Sequence, residues 1–270
     1  MSAPDLRRLP IGNHRLPCHV CDRGAKDTAL SVKVDERGAT YICHRCGLTG
    51  AKNFERISAS RPSVPSAPKA SPLEWSDTAA RIWRQTQPLR GSLGEIYLRA
   101  RRCALPPADS DLQFLPATDR YPPSLCARIS DAKSNAPLSL HFTRLKADGT
   151  GKAGTDCDKL LLKGHRKAGG CIRLWRDECV TYGLAISEGV ETGLAAAHAF
   201  QPVWAAIDAG NMASFPVLAG IDVITLIVDH DPAGLKAAAE VAGRWRAARR
   251  EVRMLMAADR GADIADEIAS

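Results

Sequence analysis

No stretch of this 270-residue chain approaches the roughly 18 consecutive apolar residues of a membrane span. The amino-terminal "MSAPDLRRLPIGNHRLP" lacks the apolar core of a secretory signal. Both absences predict a cytoplasmic chain with no membrane partner, whose thiols stay reduced. An odd count of nine cysteines likewise argues against a disulfide framework. Internal repeats are missing, and lysine is sparse beside arginine and alanine. What is there is an ordinary globular composition, 45% hydrophobic and 25% charged, long enough for about two domains. A net charge of +7 and a pI near 9.0 favour a polyanionic partner such as nucleic acid. Arginine and alanine are also what a GC-rich gene encodes, so charge permits that reading without establishing it.

One composition break divides the chain. "ISASRPSVPSAPKASP", residues 57–72, is almost wholly Ser, Ala and Pro, and its four prolines block helices and sheet ladders. It reads as a solvated linker between an N-terminal module, residues 1–56, and a larger body. Within that body, residues 73–181 read as mixed α+β. "LEWSDTAARIWRQTQPL" has helical spacing ending near Pro88, and "GSLGEIYLRARRC" suggests a second helix. "LSLHFTRLKADGTGKAG" alternates like a strand and breaks at Asp148-Gly149. From residue 182 the rhythm changes. "LAIS", "VWAAI", "DVITLIV" and "EVRML" are short apolar strands, and "ETGLAAAHAF" and "PAGLKAAAEVAGRWRAARR" are helical. Apolar strands alternating with helices predict an α/β segment, residues 182–270, with a parallel sheet covered on both faces.

The four front cysteines form two CxxC pairs, Cys18 with Cys21 and Cys43 with Cys46, twenty-one residues apart. Two knuckles giving two thiolates each supply the tetrahedral shell of a structural Zn²⁺, and "ALSVKVDERGATYIC" between them reads as a hairpin turning at "DERG". So small a module cannot stabilise itself by burial alone, and metal supplies the missing free energy. His19 and His44 are expected at the surface. Arg15, Arg23, Lys26, Lys33, Arg37 and Arg45 are candidates for phosphate contacts, and Tyr41 for base stacking. For each of these a solvated or core side chain is an equal reading. Cys103, Cys126, Cys157, Cys171 and Cys179 show no ligand spacing and are expected to be small buried hydrophobes.

In open parallel sheets, function collects at the C-terminal ends of strands. "LAIS" delivers Glu188, with Glu191 beyond it, and "DVITLIV" delivers Asp229 and Asp231. If extended geometry persists past Val228, Asp229 and Asp231 share one side and His230 takes the other. Carboxylates so gathered suit a hard cation, Mg²⁺ or Mn²⁺, with water and phosphate oxygens completing its shell. Asp231 before Pro232 fits a helix N-cap equally well. Capping does not account for Asp229 or Glu188.

"ISEGVETGLAAA" with "VDHDPAGLKAA" resembles the Toprim domain, the α/β fold shared by bacterial-type primases, topoisomerases, some nucleases and recombination mediators. The resemblance implies that Glu188, Asp229 and Asp231 are catalytic and hold Mg²⁺. "RGADIADEI" is similar to the segment that often closes primase Toprim domains, which points to Gly261, Asp263 and Asp266 and adds Asp263 as a metal ligand. The order of zinc ribbon, linker, mixed region and Toprim is similar to primases of phages and plasmids. That implies a DNA primase making short RNA primers from NTPs on single-stranded DNA, near the nucleoid of a bacterial or phage-infected cell, with a replicative helicase among its partners. Lys159, Lys163, His165, Arg166 and Lys167, with Lys236 on the last long helix, are the candidates to grip template or triphosphate. Two departures stand out. Replicative primases usually place an Asp four residues after the Glu, where this chain has Thr192, with Glu191 one position earlier, and there is no helicase domain.

Two alternatives stay open: a Toprim nuclease, and a non-enzymatic mediator pairing a zinc finger with Toprim to bind DNA. A topoisomerase would need a nucleophilic tyrosine in a gate domain, and with only Tyr41, Tyr97, Tyr121 and Tyr182 and too short a chain for a strand-passing gate, that reading is disfavoured.

Overall fold

The computed structural model describes residues 5–21, 28–54 and 75–257. The expected linker of residues 57–72 lies outside the described residues, as do Arg23, Lys26, Gly261, Asp263 and Asp266. The chain divides into two compact units, residues 1–70 and 71–270.

In the first unit, β1 (Gly12–Leu16), β2 (Leu30–Asp35), β3 (Gly38–Cys43) and β4 (Thr49–Asn53) form an antiparallel sheet in sequence order. Strand β2 has the period of two: Leu30, Val32 and Val34 are buried, while Lys33 and Asp35 face water. The "DERG" turn closes as expected, because Asp35 Oδ1 accepts from the backbone N–H of Arg37 at 2.8 Å and of Gly38 at 3.0 Å. Gly38 is required where β3 meets β4, since a Cβ there would collide with the Lys52 carbonyl. The core is small, with Leu6, Leu30, Val32, Val34 and Ala39 packed beside Cys18 and Cys43.

In the second unit, helices α1 (Asp77–Arg84) and α2 (Leu93–Ala100) begin at serine caps. Ser76 accepts from Ala79 N and Ser92 from Gly94 N. Helix α1 stops at Arg84, short of Pro88. Strands β5 (Leu112–Leu115), β6 (Ser124–Asp131), β7 (Pro137–Arg144), β8 (Lys159–Leu161) and β9 (Gly170–Arg173) follow. Then come β10 (Gly183–Ser187), α3 (Val190–Ala196), β11 (Val203–Ala205), α4 (Ala209–Ala213), β12 (Val223–Val228), α5 (Pro232–Ala247) and β13 (Glu251–Met256).

All nine strands of this unit join one sheet, in the order β13-β12-β10-β11-β9-β6-β7-β8, with β5 on β6. The first four are mutually parallel, and β9 pairs antiparallel with β11, which carries the mixed region's strands onto the same sheet. From β10 the chain crosses to β11 on one side and then back to β12 on the other. Right-handed crossovers in opposite directions put their helices on opposite faces. Accordingly, Leu194 and Ala195 of α3 join one apolar layer with Leu98 and Ile172, while Ala238, Val241 and Trp245 of α5 join the other with Ile186 and Leu226. The reversal falls between β10 and β12, which stay paired to the end of β10, and at such a switch point the loops that follow the two strands lead to opposite faces of the sheet.

Candidate functional site

The cysteine cluster is built as the spacing predicted. The Sγ atoms of Cys18, Cys21, Cys43 and Cys46 lie within 4.8 Å of one another, with Cys18 to Cys46 and Cys21 to Cys43 each at 3.7 Å. Thiolates about 2.3 Å from a tetrahedral Zn²⁺ stand about 3.8 Å apart, so the donor set fits that ion. His44 is exposed and bonds Ser31 Oγ. Tyr41 packs its ring over Gly50, which leaves that face unavailable for base stacking. Of the remaining cysteines, Cys103, Cys126 and Cys171 are buried as expected, but Cys157, in the loop before β8, and Cys179, ending a short 3-10 helix between β9 and β10, are exposed.

In the second unit, Glu188 follows β10 and Asp229 follows β12, one residue beyond adjacent parallel strands in register. Both stand at the switch point of the sheet. Extended geometry does not persist past Val228. The Asp231 N–H donates to the Asp229 carbonyl at 2.7 Å, so the chain turns at His230, whose Nδ1 bonds the Ala257 carbonyl at 3.0 Å. Asp231 caps α5, its Oδ1 accepting from Gly234 N at 2.7 Å, with Pro232 in the first turn. One carboxylate oxygen of Asp231 is thus engaged with the helix. A Cβ on Gly234 would lie 2.5 Å from the Asp229 carbonyl oxygen, so the glycine lets α5 seat on the backbone that carries Asp229.

A further acid, Asp208, was missed from sequence, although the rule that found the others applies to it, since it ends the run "VWAAID". Ile207 before it takes φ +80, a left-handed conformation costly for a β-branched residue, and this redirects the chain at the strand end. Asp208 caps α4 through Asn211 N and pairs with Lys167. Glu188 is pushed up to about 7 by burial and by the charges of Asp229, Asp231 and Asp208, against a backbone hydrogen bond from Ala209. Such repulsion is what a divalent cation relieves, and the donors are all oxygen, but among the described residues only the four cysteines bring three or more ligand atoms within 4.8 Å of one another, so these carboxylates are electrostatic neighbours and not a closed ligand cluster.

Glu191 stands apart from these acids. It is 5% exposed on α3, and its Oε1 accepts from Tyr97 OH at 2.5 Å and faces Lys152 Nζ at 3.1 Å. Its Oε2 lies 2.6 Å from Lys159 Nζ. Burial works to raise this carboxyl, but Lys159 and Lys152, with the hydrogen bonds from Lys159 and Tyr97, hold it down to about 2. Among the basic candidates, then, Lys159 pairs with Glu191, Lys167 with Asp208, and Arg166 with Asp131 at 3.5 Å. His165 lies between Ser76 Oγ and the Lys163 carbonyl. Lys163 and Lys236 are exposed. His141 on β7, held near 4 by burial and by Lys159, lies within reach of the charges on Glu191, Asp208 and Lys167. No local motif marks Tyr97, Lys152 or His141; Tyr97 and Glu191 meet across 94 positions of sequence.

Residues 74–174 match a domain of unknown function (DUF7146), and residues 183–270 match the Toprim domain. No curated protein matches the chain. Among solved structures, the chain is similar to the primase fragment of the bacteriophage T7 primase-helicase protein, at 17% identity and TM-score 0.43, over 94% of this chain and 92% of that one. It is similar also to the zinc-binding and RNA polymerase domains of the Aquifex aeolicus primase, at 13% identity and TM-score 0.43, over 97% and 77%. A DNA primase domain from Pseudomonas aeruginosa aligns at 14% identity and TM-score 0.38, over 73% and 59%. Glu188, Asp229 and Asp231 and the parallel strands that carry them all fall within residues 183–270, the segment that matches the Toprim domain.

Proposed function

We propose that the protein is a DNA primase that joins NTPs into short RNA primers on a single-stranded DNA template. The observation that carries this reading is the placement of Glu188 and the Asp229–Asp231 pair after adjacent parallel strands of a Toprim domain, with Lys159 and Lys167 of the mixed region paired to the nearby acids Glu191 and Asp208. The four-cysteine cluster of the first unit adds a module suited to template contact.

Glu188, Asp229 and Asp231 are the residues that would hold Mg²⁺ or Mn²⁺, which supplies neutralisation of charge on phosphoryl oxygens during nucleotidyl transfer. The chain's own part is electrostatic and positional. Lys159 and Lys167, fixed by ion pairs at the site, present ammonium groups to a triphosphate, and Lys163, Arg166 and Lys236 extend the basic surface for template. Asp263 remains a proposed additional ligand. A replicative helicase is the proposed partner, at the nucleoid of a bacterial or phage-infected cell and on a mobile element.

The test is single-stranded template, labelled NTPs and Mg²⁺. Short RNA products are expected from the native chain, with at least 100-fold less from Asp229→Ala and Asp231→Ala, since each removes charge stabilisation at the reacting phosphate, an effect of about 10²–10³ in rate. Template cleavage without synthesis identifies a nuclease instead, and tight DNA binding with neither activity identifies a mediator.

A further inference from the structure

Glu191, in the first turn of α3, has bonding that separates it from Glu188 and its neighbouring carboxylates. Glu188 is charged against Asp229, Asp231 and Asp208, so its partners are carboxylates. Glu191 faces two ammonium groups and a phenol. Both lone pairs of Oε1 are engaged, by Tyr97 and Lys152, and Oε2 is held by Lys159. A cation approaching this carboxylate would meet two positive charges first. The residue is also fixed from behind: Cys103 Sγ contacts the Glu191 carbonyl at 3.5 Å, and Ala104 N donates to Leu194 O at 2.9 Å, which pins α3 to the chain after α2.

The lysines, by contrast, are only half covered, with side chains 38% and 46% exposed. Each ammonium has three N–H donors, so donors remain for another anion. Lys159 Nζ lies 3.9 Å from where a Cβ on Gly189 would stand, beside Glu188. With Tyr97 held as a neutral phenol by burial and by Glu191, the two ammonium groups face the Glu191 carboxylate, and Asp158 is a further carboxylate within the field of Lys152.

We propose that Glu191 is a positioning residue that holds the Lys152 and Lys159 ammonium groups as the polyphosphate-binding side of the site, and that it is no ligand of the divalent cation. This rests on the reading of the protein as a nucleotidyl transferase. From the mixed region, Tyr97 bonds the carboxylate and Cys103 the backbone carbonyl of Glu191, so the segment matching the domain of unknown function contributes the phosphate side and the Toprim domain contributes the metal side.

The full chain and its variants are tested for Mn²⁺ affinity by water-proton relaxation and for affinity toward α,β-methylene-ATP at saturating Mn²⁺. Glu191→Gln is expected to weaken the analogue about tenfold while leaving Mn²⁺ affinity within twofold of the native chain, whereas Asp229→Asn weakens Mn²⁺ itself. Glu191→Asp should recover part of the analogue affinity. In a Lys152→Ala/Lys159→Ala background, Glu191→Gln should add less than twofold, because the groups it acts through are gone. The proposal is overturned if Glu191→Gln loses Mn²⁺ as Asp229→Asn does, if it leaves analogue binding unchanged, or if its loss persists without the lysines. Should Glu191→Gln melt early, Tyr97→Phe, which releases one constraint on the carboxylate, is expected to weaken the analogue about threefold without affecting Mn²⁺; an unchanged analogue affinity there counts against the proposal. A native chain that binds both probes but makes no RNA refutes primer synthesis and leaves this role of Glu191 standing.

Discussion

Glu188 occupies a half-buried position against three carboxylates, and its own carboxyl is raised from 4.5 to about 7 in the absence of cation. The folded chain therefore holds a proton across that window that the unfolded chain has released. More protons bound to the folded state means that stability is lost as pH rises from about 4.5 to about 7. In Mg²⁺-free buffer the native chain should melt progressively earlier relative to Glu188→Gln over that range, and millimolar Mg²⁺ at pH 7.5 should recover the difference. Parallel melting curves for the two chains, with or without Mg²⁺, would remove Glu188 from the metal site. At this scale the sequence exposed Glu188, Asp229 and Asp231 because each ends an apolar run. It did not expose Lys152, Tyr97 or His141, whose places depend on contacts made across the fold.

At the scale of elements, the turn after β12 does two tasks with one sequence. "DHDPAG" ends the strand, reverses at His230 and starts α5 at Pro232 under the Asp231 cap. Such a cap stabilises a helix by about 1 kcal/mol. Gly234 sets how closely α5 approaches Asp229, so Gly234→Ala forces the helix off the strand end by a few tenths of an ångström or more. Synthesis should fall at least tenfold in Gly234→Ala, since small misplacements of reacting groups are costly, while circular dichroism stays native; unchanged synthesis would show that the Asp229 backbone tolerates the shift. The cap was legible from Asp-Pro alone. The turn was not, because alternation beyond Val228 looks the same in sequence whether the strand continues or folds back.

At the scale of the whole molecule, two units of different stability physics share one chain. Residues 5–54 enclose only a small apolar core around the four cysteines, whereas the second unit has large layers on both faces of its sheet. Zinc binding to the first unit is therefore folding free energy. Chelation, or Cys43→Ser, should unfold that unit and blunt the choice of priming site, while the cooperative melting of residues 71–270 stays in place. Initiation at unchanged sites after zinc loss would deny the cluster a part in template selection. Within the second unit, the change of rhythm near residue 182 is visible in sequence, yet β9 and β11 pair across it, so the sheet runs on without interruption.

The sequence by itself determined the four-cysteine cluster, the strand-end acids, the α5 cap and the α/β order, because each follows from spacing within a few residues or from a local apolar period. Only the tertiary structure decided the partners of those groups. The chain's return from β11 to the far side of β10 brought Glu188 beside Asp229. The packing of α2 on α3 gave Tyr97 to Glu191, and the antiparallel strands of the mixed region delivered the lysines. Charges separated by tens of residues interact only once the chain has closed the distance between them, and at 3.1 Å from the buried Glu191 carboxylate that interaction outweighs burial and keeps the acid charged against its lysines.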